Sequence, residues 1–162
     1  MTWRVVYMGT AEIACPPLQS LAVMPQIELA AVYTQPDRPK GRGQPVQFSS
    51  VKKLALEMGE AVLQPESLKS SLAFKGLALL KPDVLVVMAY GQILSQQVLD
   101  LPPHGAVNLH ASLLPRHRGA SPIQQAILAG DSETGVTLMQ MEAGLDTGPM
   151  IARASIPIGS ED

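Results

Sequence analysis

Short apolar runs alternate along the chain with stretches whose apolar residues recur at helical spacing. Residues 4–8 (RVVYM) form a β-branched run that stops at Gly9-Thr10, as a buried parallel strand would. The next segment carries Pro16-Pro17, then Leu18, Leu21 and Ala22 at helical spacing. Paired prolines fit a helix N-terminus better than its middle. Residues 27–34 read as a second strand, and 35–49 as a long loop punctuated by Pro36, Pro39, Pro45, Gly41 and Gly43. A helix is predicted over 50–59 with Gly59 as its C-terminal cap, followed by a brief strand at 61–64. Leu68, Leu72 and Leu79 give the following helix its apolar stripe. Residues 83–89 are the most hydrophobic strand, expected in the interior of the sheet. A short helix at 95–101 and a strand at 106–110 follow. The segment 121–130 reads as a helix with Ser121 as N-cap and Pro122 at its first position. Residues 135–141 and 150–158 are the last strands.

Strands alternating with helices imply βαβ units, hence an α/β fold with a mostly parallel sheet and helices on both faces. Ligands in such folds sit beyond the carboxyl ends of the strands. The places to search are Gly9-Thr10, Thr34-Gln35, Ala89-Tyr90-Gly91 and residues 108–110. The length of 162 residues suits a single domain over 1–162. A 46% hydrophobic and 16% charged composition excludes an intrinsically disordered chain. A net charge of −2 argues against a surface coated in positive charge for general nucleic-acid or membrane binding, but leaves room for a local basic patch. The lone Cys15 has no partner for an internal disulfide, which makes a reducing compartment the default. The apolar run 84–90 is far short of the ~20 residues that span a bilayer. A cytoplasmic protein is expected.

Three constellations could carry chemistry. In NLHASLLPRHRG, Asn108 and His110 lie two apart at the end of a buried strand, so both side chains leave one face. An apolar strand gains nothing from an amide and an imidazole unless they are paired or used. One reading is a polar pair that caps the strand and satisfies loop backbone. The other has Asn108 donating to a developing oxyanion while His110 moves a proton. In MEAGLDTG, Gly144 and Gly148 bracket Asp146 in a tight loop that holds one carboxylate in place. A plain Asx-turn is the commoner use of such an Asp, but a site with Asn and His needs a base. The loop QPDRPKGRGQP sets Arg38, Lys40 and Arg42 against Asp37. These cations are either solvated surface or phosphate contacts.

Other chemistries lack their signatures. Gly9-Thr10-Ala11 is not a dinucleotide fingerprint, and there is no phosphate-binding P-loop or GxSxG elbow. His104, His110 and His117 lack metal-ligand spacing, so no metal is expected. Cys15 has no basic neighbour in sequence to activate it. Met139 and Met141 read as packing.

Taken in order, GT at Gly9-Thr10, TQPDRPKGRG at 34–43, VVMAYGQIL at 86–94, NLHASLLPRHRGASPIQQAI at 108–127, GD at Gly130-Asp131 and ETGVTLMQMEAGLDTG at 133–148 resemble the methionyl-tRNA formyltransferase family. The resemblance implies a Rossmann-like formyltransferase fold with Asn108, His110 and Asp146 as catalytic trio. It implies that Ser112, Leu113, Leu114 and Pro115 line the site for the formyl donor 10-formyltetrahydrofolate. Tyr90-Gly91 and the backbone at 143–146 would hold the pterin. Arg38, Lys40 and Arg42 would reach initiator methionyl-tRNA. No membrane partner and a monomer are expected. The family commonly has Thr-Pro-Asp-Phe where this chain has Thr10-Ala11-Glu12-Ile13, often Trp where His117 stands, and Asp where Pro149 stands. It also continues into a further helix and a C-terminal β-barrel domain, so a truncated form is expected that keeps the trio but holds tRNA poorly. Two alternatives are a formyltransferase acting on a small-molecule amine and a truncated, noncatalytic folate-binding fragment.

Overall fold

The first strand, β1 (Trp3–Gly9), hydrogen-bonds to a parallel strand on each edge, and its Val5, Val6, Tyr7 and Met8 are each no more than 1% exposed. The structure is a computed structural model that describes residues 1–39 and 46–162. The chain divides into two compact units, Met1–Ala106 and Val107–Asp162.

The first unit continues through a 3₁₀ turn (Glu12–Ala14), α1 (Cys15–Ala22), β2 (Ile27–Tyr33), β3 (Arg38–Pro39), β4 (Val46–Gln47), α2 (Ser50–Glu57), β5 (Val62–Leu63), α3 (Ser71–Leu79), β6 (Val84–Met88) and α4 (Gln96–Leu99). Its sheet has the order β5-β2-β1-β6, all parallel. Parallel strands bury both faces, which is why these runs are continuously apolar. β6 is buried from Leu85 to Met88, as expected of an interior strand. The common direction brings Thr10, Thr34, Gln64 and Ala89 to one rim, where ligands of such sheets sit.

Local signals acted much as their chemistry requires. Pro16 and Pro17 occupy the first turn of α1. Ser49 caps α2 by accepting from the Lys52 N–H at 3.0 Å. Gly59, at φ +76°, closes α2: its N–H donates to Leu56 O and that of Glu60 to Ala55 O, the paired bonds of a Schellman cap.

Three expectations are corrected. Of Leu68, Leu72 and Leu79 only Leu68 is buried, and it lies before the helix rather than on it. Ser70 caps α3, so the helix starts at Ser71 and excludes Leu68. That start turns Leu72 and Leu79 outward, 83% and 80% exposed, and buries Leu77 instead. Residues 35–49 are not a plain loop, because β3 and β4 pair antiparallel across their ends. Ser121 does not cap through its hydroxyl. It adopts φ 57°, ψ 44°, outside the extended backbone that a side-chain cap needs, and contributes only its carbonyl, to the Gln125 N–H.

The second unit carries β7 (Ala106–His110), entered at Val107, then α5 (Pro122–Leu128), β8 (Glu133–Gln140) and β9 (Met150–Pro157). β8 runs antiparallel to both β7 and β9. Opposite Asn108 stands Met139, and opposite His110 stands Thr137. Parallel strands in the first unit and antiparallel ones in the second make the α/β, Rossmann-like fold with a mostly parallel sheet that the strand–helix alternation predicts. Among the described residues no helix is long and apolar enough to cross a membrane.

Candidate active site

In the second unit β7 ends at His110, whose side chain is 8% exposed. Asn108, two residues earlier, shares its face of the strand. It is half-buried, and among the described residues its amide has no hydrogen-bond partner. The spacing therefore leaves one occupied ring and one free donor side by side.

The imidazole is held at Nε2 and faces a carboxylate at Nδ1. Nε2 lies 2.9 Å from the carbonyl oxygen of His117. A carbonyl only accepts, so Nε2 carries a hydrogen and Nδ1 is the nitrogen left to exchange a proton. Nδ1 lies 3.6 Å from Asp146 Oδ2, and the Asp146 side chain is 10% exposed. Oδ2 also accepts the Gly119 N–H at 2.8 Å.

Asp146 reaches this place because its loop is pinched. The loop leaves β8 and returns at its neck, where Gln140 N–H donates to Pro149 O at 2.9 Å. A Cβ on Gly148 would fall 1.9 Å from Gln140 O, so only glycine permits that neck. Asp146 takes φ 52°, a left-handed conformation that Asp tolerates better than most residues. The glycine-flanked Asp is thus more than an Asx-turn: the turn aims its carboxylate at His110.

The segment after β7 folds on itself. The Ser112 hydroxyl donates to Arg116 O at 2.7 Å. The Thr137 hydroxyl, fully buried on β8, donates to Ser112 O at 2.7 Å and accepts from Leu114 N–H at 3.1 Å. Ser112 and Leu114 are therefore buried in the loop, Leu113 is half-buried, and Pro115 is exposed. Asp131 accepts from the Arg116 guanidinium at 2.5 Å and from His117 Nε2 at 2.6 Å. Sequence reasoning missed Asp131, Thr137 and the Gly119 N–H. Gly130-Asp131 stood in the motif but looked like an ordinary helix end.

The first unit gathers polar groups at the rim of its parallel strands. Thr10 Oγ1 donates to Tyr90 O at 2.7 Å and accepts from Gln35 N–H at 3.2 Å. Thr34 and Ser49 share a hydrogen bond of 2.7 Å. Tyr90 is 2% exposed, and its buried hydroxyl, like the Gln35 Nε2, has no partner among the described residues. Burial pushes the Tyr90 hydroxyl well up, with a further contribution from Tyr33. Gly91 takes φ +87°, and a Cβ there would meet the Gln35 side chain at 3.6 Å. Orphaned buried donors are costly, so this rim is suited to a polar ligand. Arg38 is exposed and 3.8 Å from Glu66. Lys40 and Arg42 lie outside the described residues. Hydrogen bonds from Lys52 and then Gln64 hold the Asp37 carboxyl below its usual value. The Cys15 thiol is pushed up, first by burial and then by Glu12, which disfavours its reactive thiolate. Among the described residues no group of His, Cys, Asp and Glu could hold a metal ion.

Known proteins resemble this chain in sequence and fold. The chain is 58% identical over 159 residues to a methionyl-tRNA formyltransferase of Pseudomonas paraeruginosa, covering 98% of this chain and 51% of the relative. It is 59% identical to one of Ectopseudomonas mendocina, covering 98% and 50%. The chain thus spans about half the length of the curated relatives it matches. Among solved structures, a phosphoribosylglycinamide formyltransferase from Bacillus halodurans superposes with a TM-score of 0.75 at 26% identity, over 98% of this chain and 82% of that one. The sequence profile described as Formyl transferase matches residues 4–162, and the chain belongs to that family.

Proposed function

We propose that this chain supplies the catalytic part of an enzyme that transfers the formyl group of 10-formyltetrahydrofolate to the α-amine of methionyl-initiator tRNA. The observation that carries the reading is the buried His110–Asp146 pair, with Nδ1 facing Oδ2 at 3.6 Å and Nε2 tied to a carbonyl. The pair is built to move a proton at Nδ1.

The amine attacks the formyl carbon, giving a tetrahedral carbon that bears an oxyanion. The free amide of Asn108 donates to that oxygen, a contribution of about 10²–10³ in rate. Asp146 takes the proton from the attacking amine, directly or through water, and passes it to His110 Nδ1; as the oxyanion collapses and the C–N10 bond breaks, Nδ1 gives that proton to N10. No covalent enzyme intermediate is required, because the amine is itself the nucleophile.

In the second unit, residues 112–115 are assigned to the folate. In the first, Tyr90 and Gly91 at the end of β6 are assigned to it as well, a role supported by the orphaned Tyr90 hydroxyl. Arg38, Lys40 and Arg42 are assigned to the tRNA phosphates. The relatives at 58% and 59% identity, both named methionyl-tRNA formyltransferase, favour tRNA over a small amine as acceptor. A cytoplasmic monomer without a membrane partner completes the reading.

Formyl transfer to methionyl-tRNA, with phosphoribosylglycinamide as competing acceptor, tests it. His110→Ala should reduce turnover by about 10²–10⁴. A near-parental rate in that variant refutes the assignment. Transfer only to the small amine moves the protein to the other acceptor class, and folate binding without any turnover reduces it to a binding module.

A further inference from the structure

We propose that Asp131 is a positioning residue: by gripping Arg116 and His117 it sets the backbone at 117–119 that holds both members of the His110–Asp146 pair. The inference rests on the roles proposed above for His110 and Asp146.

Two backbone groups of one short stretch define that pair. The His117 carbonyl fixes His110 Nε2 at 2.9 Å, and the Gly119 N–H fixes Asp146 Oδ2 at 2.8 Å. A rotation of this stretch would misplace both reacting side chains at once. Its conformation is not one that the backbone adopts unaided. His117 sits at φ 55°, in the left-handed region that a bulky residue occupies only when its surroundings hold it there.

Asp131 supplies the hold. Its two carboxylate oxygens take separate partners, Arg116 Nη2 at 2.5 Å and His117 Nε2 at 2.6 Å. Asp131 is 10% exposed and His117 14%, so their bond is shielded from water, whereas Arg116 is 63% exposed and holds less firmly. A cavity of about 140 Å³ borders Leu113, Arg116, His117 and Asp131. Asp131 is itself rigidly placed. Its N–H donates to Ala126 O at 3.0 Å and that of Gly130, at φ +69°, to Ile127 O at 3.0 Å, a Schellman cap at the end of α5.

The test reads the His110 ring directly. In the ¹⁵N-labelled 162-residue chain, the parent should show a His110 Nε2–H protected from exchange with water. Asp131→Asn keeps the shape but removes the charge. It should speed that exchange by about tenfold or more, the scale of a lost hydrogen bond to a charged group. His117→Ala, which removes the ring but leaves Asp131 with Arg116, should do the same, and adding Asp131→Asn to it should add less than it does in the parent, because only the exposed Arg116 contact is left to lose. Formyl transfer by Asp131→Asn should lose about 10–100-fold in kcat with the folate KM unchanged. Should Asp131→Asn fail to fold, His117→Ala decides alone. Parental exchange in a folded variant overturns the positioning role. A full transfer rate in His110→Ala would instead sink the proposed function and leave the exchange result to be judged separately.

Discussion

Replacing Asp146 by Asn removes a charge and almost nothing else. Oδ2 has two duties: it accepts the Gly119 N–H at 2.8 Å and faces His110 Nδ1 at 3.6 Å. The oxygen of an Asn amide performs the first duty equally well, so the loop keeps its anchor. The second duty is lost, because a neutral amide neither takes the proton of the amine nor opposes the charge of an imidazolium. At 3.6 Å and an effective dielectric constant of about 20, a full charge pair is worth about 4.5 kcal/mol. With side chains 8% and 10% exposed, the pair escapes most solvent screening. That energy bears on the step in which His110 carries the extra proton, and it corresponds to roughly three powers of ten in rate. Single-turnover formyl transfer with saturating 10-formyltetrahydrofolate reads the chemical step without product release. Asp146→Asn should lose about 10³-fold there, while its urea midpoint stays near that of the parent. Asp146→Ala should lose the same rate and also about 1–3 kcal/mol of stability, because it orphans the Gly119 N–H. A single-turnover rate for Asp146→Asn within tenfold of the parent would show that the facing pair does no proton or charge work.

Two further outcomes probe the scaffold. Thr137→Val strips an acceptor from Leu114 N–H and a donor from Ser112 O inside a fully buried site, so urea denaturation should show a loss of about 2–4 kcal/mol; a loss below about 0.5 kcal/mol would mean that those groups find other partners. Burial raises the hydroxyls of Tyr7, Tyr33 and Tyr90, that of Tyr33 from 10.0 to about 12, while the unfolded chain keeps ordinary values. Folded tyrosines thus hold protons that unfolded ones release, so their contribution to stability is constant below pH 10 and falls as pH rises from 10 through 12. Tyrosinate absorbance should appear together with the loss of far-ultraviolet circular dichroism. Tyrosines that titrate near pH 10 in a chain still folded would contradict the burial.

What could be read from the residues and what could not divides along the range of the forces involved. β1 and β6 were legible because a strand buried on both faces must be apolar throughout. The α2 cap at Gly59 was legible because one residue type meets the local need for positive φ. Asn108 and His110 were legible as a pair because strand period alone puts them on one face. Asp146 was legible as a held carboxylate, since Gly144 and Gly148 announce a tight turn, but its target lies 36 positions earlier in the numbering and no local rule points to it. The predicted helical stripe differs from the structure at Leu72 and Leu79 for a related reason. Helical spacing gives the relative phase of Leu68, Leu72 and Leu79, but the neighbouring chain decides which face is buried, and the Ser70 cap decides where the phase begins.

Asp131 marks the limit most clearly. Its sequence signature, a Gly-Asp after a helix, is fully explained by the Schellman cap that ends α5. Nothing local distinguishes a carboxylate that merely follows a cap from one that grips a loop and, through a backbone carbonyl, orients an imidazole. That information lies in which atoms meet: Asp131 Oδ2 with the His117 ring, and the His117 carbonyl with His110 Nε2. Reacting groups can be guessed from residue type because their chemistry requires particular side chains. The groups that aim them use backbone atoms common to every residue, and only the folded arrangement reveals them.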